Sequence, residues 1–306
     1  MLIEFTVGNY RSFKDKKTLR MDAASSVSEY RENLIPAGKY NLLRSAAIYG
    51  ANASGKSNLL RAMGRMRSNV LHSASWSSSA SIPFDPFLLN ETTPRLPSYF
   101  EVVFKIKDAR YRYGFEFDKS RIYTEWLFES KKDSEKPFFI RDEDKIQVSK
   151  KFSEGKGLEK RTKPNTLFLS VCDQFNGSKA KELMAWVEGW SLISFEAENP
   201  ADRVIGRQYD SAEEAALTAE QLQFVKKLDL GIKDIFFHPD EVYFYDEGEE
   251  GPSVSSAFMM TPKTVHQKFN DNGDPVGQVE FDMDKAESSG TNKLFDLSGS
   301  LFNCLN

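Results

Sequence analysis

The sequence predicts a mixed α/β fold, and three observations lead to it. A short apolar run, Ala46-Ala47-Ile48-Tyr49, stops at Gly50 and gives way to a helical pattern. From Tyr99 the pattern changes to short alternating runs, and past about residue 177 it turns mostly helical. At 306 residues the chain is long enough for one large domain or two ordinary ones.

Taken in order, residues 2–8 alternate as a strand, and residues 46–49 read as a second strand that ends at the glycine. After Lys56, apolar residues fall at Leu59, Leu60, Met63, Met66, Val70 and Leu71, the spacing of a helix with one buried face. Ser73 to Ser81 reads as a flexible surface loop. FEVVFKI, RYRYGFEF and RIYTEWLF, separated by KDA and DKS, form an antiparallel meander that residues 137–149 extend. Thr166 to Val171 reads as a further buried strand, with helices at about 177–190 and 212–228. The expected division is 1–72, 73–172 and 173–306, the last a helical region.

Composition narrows the function classes. The 24 Phe, 11 Tyr and 4 Trp supply ample core, so disorder does not dominate. With 41 Lys and Arg against 45 Asp and Glu the net charge is −4, so contact with DNA or RNA would need a local patch. The stretch from Lys145 to Lys163 offers one: Lys145, Lys150, Lys151, Lys156, Lys160, Arg161 and Lys163 stand against few acids. Cys172 and Cys304 have no C-x-x-C spacing, which argues against a disulfide framework or zinc ribbon and for a reducing compartment. The opening MLIEFTVGNYRSF lacks the pattern of a secretory leader, and no apolar run approaches the roughly 18 residues of a membrane span. A cytoplasmic location without a membrane partner is expected.

Gly50-Ala51-Asn52-Ala53-Ser54-Gly55-Lys56-Ser57 satisfies G-x-x-x-x-G-K-[ST] in full. The two glycines let successive N–H groups point inward at a phosphate, and the helix N-terminus adds partial positive charge. Lys56 would reach the β- and γ-phosphates, and the Ser57 hydroxyl would ligate Mg²⁺. No Asn-Lys-x-Asp run marks a guanine pocket, so ATP is the expected nucleotide.

Near residue 290, Glu287-Ser288-Ser289-Gly290-Thr291-Asn292-Lys293 precedes an amphipathic helix carrying Leu294, Phe295, Leu297, Leu301, Phe302 and Leu305. A Ser-Gly pair at a helix start is a second arrangement suited to phosphate. Paired with GANASGKSN, it resembles the ABC-type ATPase heads of the SMC, RecF and OLD proteins. There, nucleotide on one subunit's P-loop is covered by the other subunit's signature. Ser289, Gly290 and Lys293 match the Ser, first Gly and Lys of that signature, and IEFTVGNYRSF looks like the heads' first strand. ESSGTNKLF resembles the RloA/AbiL-like group of bacterial AAA-family ATPases associated with restriction and phage-defence loci. The resemblance implies an ABC/SMC-type P-loop head with an antiparallel insertion, Mg·ATP as cofactor, a homodimer closed on ATP, and an effector protein or nucleic acid as partner.

In such heads a Walker B strand ending in Asp-Glu follows the signature helix, and none follows here before Asn306. The expectation is the N-terminal portion of a longer ATPase, or one completed by another polypeptide. No Gln occurs between Ser57 and Gln147, so the usual Q-loop glutamine finds no place. Val242-Tyr243-Phe244-Tyr245-Asp246-Glu247 has the composition of a Walker B but precedes the signature; its plain reading is a strand entering an acidic turn that includes Glu249 and Glu250. Arg67 and His72 match a short nuclease spacing by chance, and His238 and His266 have no neighbour at metal-ligand spacing. The leading expectation is an ATP-controlled switch that hydrolyses ATP once completed. Its alternatives are a non-hydrolysing regulatory subunit and a nucleic-acid-binding module using residues 145–163.

Overall fold

The computed structural model describes residues 1–24, 30–38, 40–52, 54–131, 134–192, 231–248 and 251–305, with residues 223 and 226. The chain forms two compact units, Met1–Trp190 and Ser191–Asn306.

The first unit is built on an antiparallel sheet. Its strands are β1 (Leu2–Gly8), β2 (Lys17–Arg20), β5 (Ser98–Ile106), β6 (Ala109–Phe117), β7 (Ile122–Ser130), β8 (Lys136–Asp142) and β9 (Lys145–Val148). Their order is β2-β1-β5-β6-β7-β8-β9, so the meander read from the sequence forms most of it. The hairpin of β3 (Leu34–Ala37) and β4 (Tyr40–Leu43) stands apart as a two-stranded sheet. Alternation puts every second residue on one face, and register aligns them across it. Phe5 faces Val102, Val102 faces Tyr113, Tyr113 faces Leu127 and Leu127 faces Phe139, all fully buried. On that row pack α1 (Lys56–His72), α2 (Phe168–Gln174) and α3 (Ser178–Glu188). The buried side of α1 is Leu59, Ala62, Met66 and Val70, close to the stripe the spacing predicts; Leu60 stays exposed.

Three expectations change here. Residues 46–49 form no strand: Tyr49 is 90% and Ile48 47% exposed. An apolar run becomes a strand only when a neighbour takes its backbone hydrogen bonds, and no described strand pairs with this one.

Thr166 to Val171 is not a strand either, because Phe168 begins α2. The run is buried on all sides, which periodicity alone does not distinguish from a strand. What decides is Glu125, fully buried on β7, whose carboxylate accepts hydrogen bonds from the amides of Phe168 (2.6 Å) and Leu169 (3.1 Å) and from the Tyr113 hydroxyl (3.0 Å). Burial pushes the Glu125 carboxyl up, against the opposing pull of Arg141 and these donors. Arg141, 2% exposed, donates to the carbonyls of Thr166 (2.7 Å) and Pro164 (3.1 Å). The backbone entering α2 is thus held by two buried ionisable side chains.

The serine-rich segment is pinned rather than loose. Asn165 donates to the carbonyls of Ser77 (2.9 Å) and Ala80 (3.0 Å), Lys163 donates to that of Trp76, and Ser73 Oγ accepts from the Leu167 amide (3.2 Å).

In the second unit, β10 (Asp234–Gly248), β11 (Gly251–Phe269) and β12 (Pro275–Asp282) form an antiparallel sheet, followed by α4 (Met283–Ala286) and α5 (Ser289–Leu305). Strands therefore occupy much of what was expected to be helical. The long alternating stretches from Asp234 pair locally through a hairpin, which needs no distant partner. Ile232, Ile235 and Met283 form a small core with Phe295 packed on it. The expected helix at 212–228, of which only residues 223 and 226 are described, and the turn at Glu249 and Glu250 lie outside the described residues. Among the described residues no helix is long and apolar enough to cross a membrane.

Candidate functional site

The glycine-rich segment leads directly into α1. Gly55 is the residue before the helix and takes φ +92°, a left-handed conformation that side chains oppose. No side chain caps α1, and its first turn carries no acid, so its leading amides are left to an external acceptor. The Lys56 ammonium folds back over the loop, donating to the carbonyls of Gly50 (2.8 Å) and Ala51 (2.7 Å). The Ser54 amide donates to the Ala51 carbonyl (3.2 Å), closing the turn. A Cβ at position 50 would lie 2.7 Å from Ser54 Oγ, so the second role of glycine here is close approach. Asn52 and Ser57 are exposed, and the Ser57 hydroxyl makes no hydrogen bond among the described residues. Ala53 lies outside the described residues.

A second wall comes from a corner that sequence reading treated only as the end of a strand. After β1, Asn9 and Arg11 take positive φ (46° and 47°), and Tyr10 and Phe13 exchange backbone hydrogen bonds of 3.0 and 2.8 Å. The buried Asn9 side chain fixes this corner, donating to the carbonyls of Thr93 (2.8 Å) and Leu96 (2.7 Å) and accepting from the Phe87 amide (3.1 Å). Ser12 is thereby presented to the glycine loop. Its Oγ accepts from Asn58 Nδ2 (2.9 Å) and occupies the space a Cβ at Gly55 would need. Asn58 Oδ1 in turn accepts from Arg61 (3.1 Å). Arg11 and Arg65 both approach Asp85, at 3.5 and 3.7 Å. The available signal was Asn-x-x-Ser at a strand end, with its strained, polar-rich turn.

The Ser-Gly segment lies in the second unit, at the start of α5. Ser288, rather than Ser289, caps the helix: its Oγ accepts from the Thr291 amide (3.1 Å). Ser289 and Gly290 are exposed. A Cβ at Gly290 would meet nothing nearer than Ser288 Oγ at 3.6 Å, so nothing described in the unit demands glycine there. Just before the cap, Glu287 accepts a hydrogen bond from Thr264 (2.6 Å) and lies 2.5 Å from His266 Nε2. The His266 ring lies tilted against Phe281, with ring centroids 5.1 Å apart. His266, read as lacking a partner at ligand spacing, thus fastens the entry to α5 to β11.

Asp246 and Glu247 lie on β10 opposite Ser253 and Pro252, close to the hairpin end where Gly248 faces Gly251. They belong to the second unit and to a strand paired antiparallel with β11. Arg67 donates to the Glu188 carbonyl (3.0 Å), tying α1 to the end of α3, while His72 is exposed.

A helix entered through a left-handed glycine, with a lysine turned over the preceding carbonyls and no acid in its first turn, is consistent with the corner of a P-loop AAA-type domain. The family model described as "AAA domain, putative AbiEii toxin, Type IV TA system" matches residues 45–305, and the chain belongs to that AAA-domain family. Its members are nucleotide-binding ATPases as a class. No curated protein matches the chain.

Proposed function

We propose that this chain is an ATP-binding switch of the ABC/SMC-head type, resembling the RloA/AbiL-like ATPases, serving a restriction, abortive-infection or toxin–antitoxin defence system. The observation that carries the nucleotide part is the Lys56 ammonium held over the Gly50 and Ala51 carbonyls at an uncapped helix start. Moving Lys56 from two carbonyl dipoles to a polyphosphate replaces weak acceptors by strong ones. The backbone amides of residues 54–57 would hold the phosphates, and the free Ser57 hydroxyl suits Mg²⁺, a hard cation that would neutralise phosphate charge.

In this reading Ser289 and Gly290 of a second copy close over the bound nucleotide, and the closed homodimer holds an effector in one state. Gly290 fits because its backbone is open to an incoming surface. The water-activating step falls to a Walker B segment outside the described pair of units or to a partner chain. A non-hydrolysing regulatory subunit is the competing reading. It is favoured by the position of Asp246 and Glu247 on an antiparallel hairpin, opposite Ser253 and Pro252.

Steady-state ATP turnover with a Lys56→Ala control separates the two. Lys56-dependent turnover by the chain rejects the regulatory reading. Nucleotide binding without turnover favours it, and ATP-dependent dimerisation by light scattering that is lost in Gly290→Ala supports the closed-dimer arrangement.

A further inference from the structure

The basic stretch expected from the sequence is narrowed by the structure to five cations on one rigid loop. Lys163 is half-buried and engaged with the Trp76 carbonyl, and Lys145 stands beside the exposed acids Asp142, Glu143 and Asp144. That leaves Lys150, Lys151, Lys156, Lys160 and Arg161, all exposed. Lys150 and Lys151 sit on the turn Lys150–Gly155, Lys160 and Arg161 on the turn Glu159–Arg161, and Lys156 on the link between them. Phe152, 1% exposed, and Leu158, 8% exposed, plug this loop into the core, so its charges are held on a fixed frame.

The two acids within the loop offset only part of its charge, and among the described residues neither pairs with its lysines. Glu154 is turned toward α3, where its carboxylate accepts from the amides of Lys179 (3.0 Å) and Ala180 (2.8 Å). Gly177 permits this, since a Cβ there would lie 2.7 Å from Glu154 Oε1. Glu159 accepts from the Gly157 amide (2.6 Å). Among the described residues none of the four lysines makes an ion pair, and Arg161 meets only the Phe175 ring, 5.9 Å away. Glu154 caps the start of α3 and Glu159 holds the turn at Gly157, so the loop keeps a net positive charge facing solvent.

We infer that this loop is a nucleic-acid-binding surface that grips the phosphate backbone of a duplex without reading its sequence. Lysine supplies point charges to phosphates rather than the planar fork that reads base edges. The loop's own apolar residues, Phe152 and Leu158, point inward, and apart from the exposed Phe175 ring beside Arg161 its face is made of lysines, which are depleted at protein–protein hot spots. The pinned serine-rich segment adds exposed hydroxyls at Ser75, Ser77, Ser78 and Ser79, and it is tied by Asn165 and Lys163 to the chain directly after Arg161. Hydroxyl groups are common donors to phosphate oxygens. This surface is separate from the P-loop reading and stands or falls without it.

The test is fluorescence anisotropy of a labelled mixed-sequence DNA duplex of about 25 base pairs, titrated with the whole chain across a salt series. The combined variant Lys150→Ala, Lys151→Ala, Lys156→Ala and Lys160→Ala should weaken binding at least about tenfold at low salt. It should also flatten the plot of log K against log salt by up to about 3.6, since each of the four phosphate contacts contributes a slope near 0.9. A control losing equal charge elsewhere in the first unit, Lys14→Ala, Lys17→Ala, Arg31→Ala and Arg95→Ala, should bind within about threefold of the parent, far less than the loss from local contacts. Unchanged thermal midpoints confirm that both variants fold. No binding by the parent at low salt, an unaffected lysine variant, or an equal loss in the control would each overturn the proposal. In the first case an acidic protein would be the better partner for the loop.

Discussion

Gly55 and Gly290 sit at comparable places, each at the start of a seventeen-residue helix, yet their surroundings differ. Gly55 is dictated by its own unit: φ is +92°, and Ser12 Oγ fills the space a side chain would take. Gly290 is under no such demand, with only Ser288 Oγ, at 3.6 Å, near its would-be Cβ. The first loop is shaped from within, by the corner built on Asn9. The second is under no such constraint from the described residues of its own unit, which leaves it open for the closing role proposed above.

The sharpest way to break this contrast is Gly55→Ala. A left-handed alanine costs about 1–2 kcal/mol, and the clash with Ser12 adds to it. Thermal unfolding should report a loss of about 2–3 kcal/mol, with nucleotide affinity falling alongside. Adding Ser12→Ala should restore part of the stability but not the part due to backbone strain. Full restoration would show that crowding alone fixes the glycine.

Gly290→Ala should leave unfolding within about 0.5 kcal/mol of the parent and leave nucleotide binding at the P-loop intact, while abolishing ATP-dependent dimerisation. A large stability loss would mean that the second unit does require this glycine. His266→Ala is expected to act more mildly in the same direction. It removes the fastening of Glu287, so dimerisation should weaken several-fold with the nucleotide affinity of the first unit unchanged.

The smallest effect concerns the edge of the first unit's sheet. The Arg20 guanidinium, 2.7 Å from Asp22, holds the Asp22 carboxyl below the usual carboxylate range. A group with a lowered folded pKa contributes stability above its unfolded value and loses it as pH falls through the folded one. Asp22→Asn should therefore flatten the acid side of the stability profile below about pH 4 and leave neutral pH nearly unchanged, because an exposed pair is screened. A profile still as steep would place the acid sensitivity elsewhere.

What could be read from the sequence follows how local its causes are. The meander was legible because Val102, Tyr113 and Leu127 alternate within their own strands and need only short turns to align. The Walker A motif was legible because its glycines and lysine are contiguous. Thr166 to Val171 was misread because the carboxylate that makes it helical, Glu125, lies some forty positions earlier. The Ser12 wall was missed for the same reason: Asn9 finds its partners at Thr93 and Leu96. Residues 46–49 look like a strand, yet composition does not supply the neighbour a strand must pair with. The backbone contacts of Glu154 and Glu159, which leave the loop's lysines without ion pairs among the described residues, are likewise three-dimensional facts.

The central claim is that the loop from Gly50 to Ser57 holds a nucleoside triphosphate through its amides and Lys56. Isothermal titration of the folded chain with Mg²⁺ and a non-hydrolysable ATP analogue tests it most directly. The account predicts saturable one-to-one binding per P-loop, weakened about 100-fold, or about 3 kcal/mol, by Lys56→Ala. A flat titration with well-folded parent protein, or equal affinity in the lysine variant, would contradict it.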